Sequence, residues 1–324
     1  MPDYSITTKI FTDKNLNMAN ILITGSNGQL GNEMRNIWAD GAPGMEIKKN
    51  ANKLFFTDVS ELDITDREAV EKFVSKEKIE IIVNCAAYTA VDKAEDDIKM
   101  ATAVNVEAAR NLAETMATLN SSPLIIHIST DYVFDGKGYK PYREDDICNP
   151  AGVYGRTKHE GEREIQKSGC NYVIIRTSWL YSTYGTNFLK TIARLAGEKE
   201  SLNVVFDQVG TPTYAGDLAR AIDTIVRKYI GAKSEEQKQL CGIYHFSNEG
   251  VCSWYDFAKE IVAQTGSNCI VNPVTSEQFP TKAPRPHYSV LDKSKIKATF
   301  GIEIPHWRVP VASKVFWKNL ESKK

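Results

Sequence analysis

Tyr154 and Lys158 stand four positions apart in the run Tyr154-Gly155-Arg156-Thr157-Lys158. On a helix that spacing puts both side chains on one face, one turn apart. A phenol held beside an ammonium can donate a proton to a carbonyl oxygen that is becoming an alkoxide. Tyrosine alone is a poor donor, with a reference pKa of about 10; a neighbouring ammonium favours the phenolate and brings that value nearer working pH. The same spacing arises by chance on exposed helices, so the chemistry needs further parts. Ser129 and Thr130 end the apolar run Leu124–Ser129. A hydroxyl there can hydrogen-bond a substrate carbonyl and hold it against Tyr154. It can equally be a turn or cap residue.

A third part is the loop Thr24-Gly25-Ser26-Asn27-Gly28-Gln29-Leu30-Gly31, a GxxGxxG run between a strand-like and a helix-like segment. Gly25 suits the tight turn, Gly28 lets the backbone approach a pyrophosphate, and Gly31 allows close helix–strand packing. The helix N-terminus offers N–H groups to the phosphates. Ser26 breaks the commoner GxGxxG pattern. Asp58 closes the next apolar run, where a carboxylate can accept from the adenosine ribose and disfavour a 2′-phosphate. It lies farther along than the roughly 20 residues usual from the glycines, and the loop Asp40–Asn52 accounts for the excess. Asp63 is a second candidate for the adenosine end, and the bland alternative for Asp58 is the start of a turn.

The elements that must position these residues follow a simple rhythm. Short apolar runs occur at Ile21–Thr24, Leu54–Thr57, Ile79–Asn84, Leu124–Ser129 and Tyr172–Arg176. Amphipathic stretches lie between them at Gln29–Trp38, Asp66–Lys76, Lys99–Leu119 and Tyr154–Lys167. Strands apolar on both faces and separated by helices predict an α/β fold with a doubly wound parallel sheet of Rossmann type. Residues 19–177 form its dinucleotide-binding part. The rhythm then loosens: helix at Asn187–Ala196, strand at Asn203–Phe206, helix at Ala215–Lys228, strand at Ile243–Phe246, helices at Trp254–Gln264 and Val311–Leu320. Residues 178–324 are expected to be mainly a smaller substrate-binding lobe, with some segments returning to the sheet. Residues 1–18 read as a loose extension ahead of the first strand.

Composition removes several function classes. The 324-residue chain is 42% hydrophobic and 25% charged, with a formal net charge of -1. No basic nucleic-acid surface is indicated. No apolar run approaches the roughly 18 residues that span a bilayer. The six cysteines show no metal or redox spacing, which favours a reduced, cytoplasmic chain. Cys85 reads as core filler, His127 as a satisfied core histidine with nothing nearby to pair with it, and Trp254 and Trp307 as packing residues. The cluster Asp92, Lys93, Glu95, Asp96 and Asp97 is either a solvated helix start or part of the site's mouth. Arg285 is either a phosphate contact or part of an exposed turn.

Longer stretches carry a family likeness: Ile23–Gly31, Val83–Glu95, Ser129–Gly136 (STDYVFDG), Val153–Lys158, Arg176–Trp179 and Ala283–Pro286. On these the sequence resembles the extended short-chain dehydrogenase/reductase superfamily and, within it, the dTDP-4-dehydrorhamnose reductase family, from about Ala19 to the C-terminal helix. The resemblance implies reduction of the 4-keto group of dTDP-4-dehydro-L-rhamnose. It implies catalytic Thr130, Tyr154 and Lys158, the latter two also touching cofactor, and a cofactor loop of Gly28, Gln29 and Leu30. Asp58, Asp63 and Ile64 match adenosine-side positions, and Ala87, Tyr88 and Thr89 match cofactor contacts after the third strand. Thr130, Asp131 and Trp179 match contacts to the sugar nucleotide. Family members use NADPH and often NADH, many are homodimers, and some hold magnesium at the dimer interface. Cys85 stands where alanine is common, Tyr88 where histidine also occurs, and the loop Asp40–Asn52 is longer than in compact members. A reductase or epimerase of another nucleotide sugar, or a catalytically silent subunit on the same fold, are the competing classes; intact Thr130, Tyr154 and Lys158 favour the enzyme.

Overall fold

Five of the apolar runs are strands: β1 (Asn20–Thr24), β2 (Leu54–Thr57), β3 (Ile79–Asn84), β4 (Leu124–Thr130) and β5 (Asn171–Thr177). The computed structural model describes residues 19–38, 53–119 and 122–322; the extension 1–18 and the loop Asp40–Asn52 lie outside them. Later come the short strands β6 (Leu180–Tyr181), β7 (Ser201–Val205), β8 (Val209–Gly210) and β9 (Thr213–Tyr214), then β10 (Gly242–His245), β11 (Cys252–Ser253) and β12 (Ile270–Val274). The main sheet runs β10-β5-β4-β3-β1-β2, six strands, all paired in parallel. The chain reverses its direction of travel across the sheet between β1 and β3. In such sheets the ligand crevice opens beyond the carboxyl ends at that point. β10 is the expected segment of the second half that returns to the sheet.

The helices are α1 (Gln29–Trp38), α2 (Arg67–Glu77), α3 (Val91–Ala94), α4 (Ile98–Thr102), α5 (Ala108–Ala117), α6 (Val153–Lys167), α7 (Phe188–Glu198), α8 (Ala215–Gly231), α9 (Ser234–Leu240) and α10 (Trp254–Thr265). Side-chain alternation divides the sheet's two faces. Ile21 and Ile23 of β1 pack with Met34 of α1 and Leu218 and Ile222 of α8. Leu22 packs with Val70 of α2, Leu112 of α5 and Ile165 of α6. Helices on both faces explain why these strands are apolar throughout rather than alternating.

A separate apolar cluster joins Leu189 and Ile192 of α7, Leu202 of β7, Phe257 and Ile261 of α10, and Trp307. β7 and β12 pair in parallel beside it. The helix expected at Val311–Leu320 is broken in two, α12 (Arg308–Val311) and α13 (Lys314–Glu321) following α11 (Ser294–Phe300), because the Ser313 side chain caps the second. The stretch expected as one helix over Lys99–Leu119 contains a π-turn, Ala103–Glu107, between α4 and α5. Among the described residues no helix is long and apolar enough to cross a membrane. All six cysteines are free.

Candidate active site

Beyond the carboxyl ends of the strands lies a cleft of about 830 Å³. Gly25, Gly28, Gln29 and Leu30 line it at the start of α1. Gly25 has φ +62°, and a Cβ there would stand 2.7 Å from the backbone of Ala86, so the turn requires glycine. Asp58 fixes the loop's shape: its Oδ2 accepts from the Asn27 N–H at 3.1 Å and its Oδ1 from the Val59 N–H at 2.9 Å. Asp58, Asp63, Ile64, Ala87 and Thr89 line the same cleft. A helix N-terminus that opens on the cleft behind Gly25 and Gly28 fits a pyrophosphate. Two of the expected residues lie off the cleft. Gly31 packs against Ser26. The Tyr88 N–H donates to Asn105 Oδ1 at 2.9 Å, and its hydroxyl points to Asp97 at 3.5 Å.

The strand-end hydroxyls divide. Successive side chains alternate across a strand. Ser129 Oγ donates to Glu162 Oε1 at 2.5 Å, inside a buried pair in which Arg176 Nη2 meets Glu162 Oε2 at 2.8 Å. Thr130 is held by near neighbours instead: its Oγ1 donates to Asp131 Oδ1 at 3.1 Å and accepts from the Tyr132 N–H at 3.2 Å. Both Thr130 and Asp131 line the cleft, together with Tyr154 and Lys158 of α6.

Three contacts set α6 against this strand. A Cβ at Gly155 would fall 2.2 Å from the Tyr132 carbonyl oxygen, so Tyr154 reaches the strand end only because its neighbour has no side chain. Glu95 Oε1 accepts the Val153 N–H at 2.8 Å, capping a helix whose own N-cap, Gly152, has no side chain to do it. The π-turn pushes Asn105 inward, where its Nδ2 donates to Thr157 Oγ1 at 3.0 Å while its Oδ1 holds the loop after β3.

The electrostatics differ from the expectation for an isolated Tyr/Lys pair. Lys158 is turned toward β4: its Nζ donates to the Ile128 carbonyl at 2.6 Å and lies 3.1 Å from His127 Nε2. Burial, opposed by the nearby Glu162 charge, lowers its pKa to about 8. Burial raises Tyr154 to about 12, with Thr130 pulling down and the Asp131 charge pushing up. Burial, then, and not the ammonium governs the phenol. Burial also raises Asp131 to about 6. His127 is buried as expected, but it has partners: Asn84 on one side and Lys158 on the other. The β3/β4 register places Asn84 opposite His127, which a single strand cannot reveal.

The opposite wall comes from the chain after β5. Trp179 adopts φ +49° and stacks on Trp254, rings 3.6 Å apart and 11° from parallel. Gly210 accommodates the Trp179 ring, since a Cβ there would lie 2.8 Å from it. Both indoles line the cleft, so Trp254 is more than the packing residue expected; Trp307 is buried in the core. Gln29 links the walls, accepting from Asn187 Nδ2 at 2.9 Å. At the rim Arg285 Nη2 meets Asp92 Oδ2 at 2.6 Å, and the Ala283 N–H donates to Asp92 Oδ1 at 3.0 Å. Lys282 pairs with Asp96. The acidic cluster is thus a strap between α3, α6 and the segment at 281–286, neither wholly solvated nor a bare turn.

The model of the RmlD substrate binding domain matches residues 18–318. A dTDP-4-dehydrorhamnose reductase of Aggregatibacter actinomycetemcomitans is 42% identical over 90% of this chain and 96% of its own. The chain belongs to the RmlD-type dTDP-4-dehydrorhamnose reductase family. The crystal structure of a family member from Clostridium acetobutylicum superposes with a TM-score of 0.82 at 40% identity, over 93% of this chain and 99% of that one. A member from Bacillus anthracis, solved in complex with NADP, superposes with a TM-score of 0.79 at 35% identity, over 94% of this chain and 98% of that one. Within this family fold, Asn105 and Trp254 are the cleft-shaping residues that sequence reasoning missed. Asn105 sits in a π-turn that leaves no compositional mark, and Trp254 meets Trp179 only through tertiary contact. Among the described residues no group of three or more His, Cys, Asp or Glu side chains is placed to hold a metal ion.

Proposed function

We propose that this chain reduces the 4-keto group of dTDP-4-dehydro-L-rhamnose to give dTDP-L-rhamnose, with NADPH as cofactor and NADH as an alternative hydride donor. The observation that carries the proposal is one cleft lined by the glycine loop, Thr130, Tyr154 and Lys158. When bound, the reduced nicotinamide supplies the hydride. Thr130 Oγ1 holds the keto oxygen, and Tyr154 gives that oxygen its phenolic proton. Lys158 swings from the Ile128 carbonyl toward the cofactor's ribose and, as an ammonium, favours the phenolate that Tyr154 leaves behind. Gly25, Gly28, Gln29 and Leu30 cradle the pyrophosphate, and Asp58, Asp63 and Ile64 bound the adenosine end. Ala87 and Thr89 line its course beyond β3.

Asp131, Trp179 and Trp254 are assigned to the sugar nucleotide, an indole face suiting a deoxysugar ring and its methyl group. On this assignment residues 19–177 bind cofactor and residues 178–324 mainly select substrate. Free cysteines and the absence of a spanning helix among the described residues support a cytoplasmic enzyme. A homodimer is the assembly the family suggests, and a magnesium ion between two copies would draw ligands from both. The test is NADPH oxidation with a panel of nucleotide-linked 4-keto sugars. Turnover is expected with dTDP-4-dehydro-L-rhamnose; a higher kcat/KM for another nucleotide sugar, or none for any, would overturn the assignment.

A further inference from the structure

Beneath Lys158 runs a chain of hydrogen bonds that the reaction described above does not use. Its first link is the Ala86 N–H, which donates to Asn84 Oδ1 at 3.2 Å; Thr24 Oγ1 donates to the same oxygen at 2.7 Å. A backbone N–H can only donate, so it decides which end of the Asn84 amide is oxygen. The Asn84 NH2 therefore faces His127, with Nδ2 3.0 Å from Nδ1. An NH2 can only donate too, so Nδ1 must be the unprotonated nitrogen of the ring. The neutral imidazole then carries its proton on Nε2, and that N–H is aimed at Lys158 Nζ, 3.1 Å away.

Two donors facing one another at that distance are not a hydrogen bond. The conflict disappears when Lys158 is an amine: its lone pair accepts from Nε2–H while one of its own hydrogens goes to the Ile128 carbonyl at 2.6 Å. We propose that Asn84 and His127 form a positioning pair that locks the imidazole as its Nε2–H form and so makes Lys158 give up its proton readily. The pair is sealed from water, with Asn84 and His127 each 1% exposed and Lys158 likewise.

The other charged and titratable groups facing this site do not supply that push. Glu162, one turn along α6, favours the ammonium, and its charge is shared with Arg176 of β5. Asp131 after β4 is pushed toward its neutral form by burial. Tyr154 of α6 and Cys85 after β3 have their ionised forms disfavoured by burial. Burial holds His127 well below its ordinary value, which fits a neutral ring.

The inference rests on the place given to Lys158 in the proposed reaction, but its deciding measurement, the NMR titration, does not need substrate. Nitrogen NMR of the ligand-free wild-type chain should show His127 with a bare Nδ1 and a protonated Nε2. The opposite tautomer, or a doubly protonated ring at neutral pH, would overturn the proposal. The carbon adjacent to Lys158 Nζ, identified by its loss in Lys158→Met, should titrate below the surface lysines. In His127→Phe the opposing N–H is gone while size and burial remain. The midpoint should then rise by about one pH unit, a tenfold change in proton affinity. The alkaline limb of kcat/KM for NADPH, which reports free-enzyme groups, should rise with it. Simple desolvation predicts the reverse, since phenylalanine is less polar than histidine, so an unchanged or lowered midpoint sinks the proposal. Failure here leaves the reductase assignment untouched, and a chain that reduces no keto-sugar leaves the titration result untouched.

Discussion

On one wall of the cleft, Thr130, Asp131, Tyr154 and Lys158 come from two neighbouring elements, the end of β4 and the first turns of α6. On the other, Trp179 follows β5 and Trp254 opens α10, with β6 to β11 between them in the chain. The first wall is held by buried polar bonds: Ser129 to Glu162, Glu162 to Arg176, Asn105 to Thr157. The second is held by aromatic contact, Trp179 on Trp254 and Phe188 against Trp254 at 4.5 Å. Directional bonds specify positions to a fraction of an ångström but are costly to break when buried. Stacked rings tolerate sliding and lose less when one partner goes. On the proposed assignment, proton transfer sits on the wall whose geometry is fixed by direction, and the two indoles that would meet the substrate sit on the wall that can adapt.

The largest expected effect is on the polar wall. Glu162→Gln leaves the Arg176 guanidinium buried without its countercharge and should cost about 3–5 kcal/mol in chemical denaturation. Burial would raise the Glu162 carboxyl, yet the bonds from His159, Arg176 and Ser129 and the Arg176 charge hold it down at about 2. A lowered folded value means the stabilisation is complete above the ordinary 4.5 and is lost as pH falls from there toward about 2. The gap between wild type and Glu162→Gln should therefore close across that window. A gap that is constant with pH would show that the pair does not tie the polar wall together.

Next comes Tyr154→Phe. Turnover should fall roughly 10²-fold or more, while titration calorimetry shows NADPH binding intact. Near-normal turnover would remove Tyr154 from proton transfer and, with it, the reason for placing the chemistry on this wall.

The aromatic wall predicts a different signature. Trp179→Ala and Trp254→Ala should each raise KM for the keto-sugar by roughly tenfold, with NADPH affinity unchanged. Because the rings stack, a double-mutant cycle on KM should show coupling of about 0.5–1.5 kcal/mol. Variants that lose about 3–5 kcal/mol of stability at normal KM would make the indoles core residues and erase the contrast between the walls.

The smallest effect belongs to the rim. Asp92 is about half exposed, 47%, and its pair with Arg285 should be worth no more than about 1 kcal/mol in a melt of Asp92→Asn. A larger loss would mean the strap, rather than the buried bonds of α6, holds the two walls in register.

Much of the fold was legible because its signal is local. Five apolar runs, each bounded by a helical pattern, locate β1 to β5 to within a residue at either end. The glycine loop announces a strand–turn–helix because Gly25 must take a positive φ. Tyr154 and Lys158 share a face because helical period is a property of the chain itself. The break between α12 and α13 and the π-turn at Ala103–Glu107 were not legible, since a cap or an inserted residue shifts a hydrogen bond without changing the apolar pattern.

The sequence alone therefore determined the order of the elements, the glycine turn between β1 and α1 and the helical face that Tyr154 and Lys158 share, all of which depend on residues close together in the chain. Tertiary structure decided that the Ser129 hydroxyl is taken by Glu162, a partner on another element, although Ser129 and Thr130 both line the cleft. It decided that Trp254 joins Trp179, and that His127 has Asn84 and Lys158 as partners. It turned the Lys158 amino group toward the Ile128 carbonyl. Each of these is a choice between partners brought together by sheet register and helix packing, and no period or spacing within one segment carries that information.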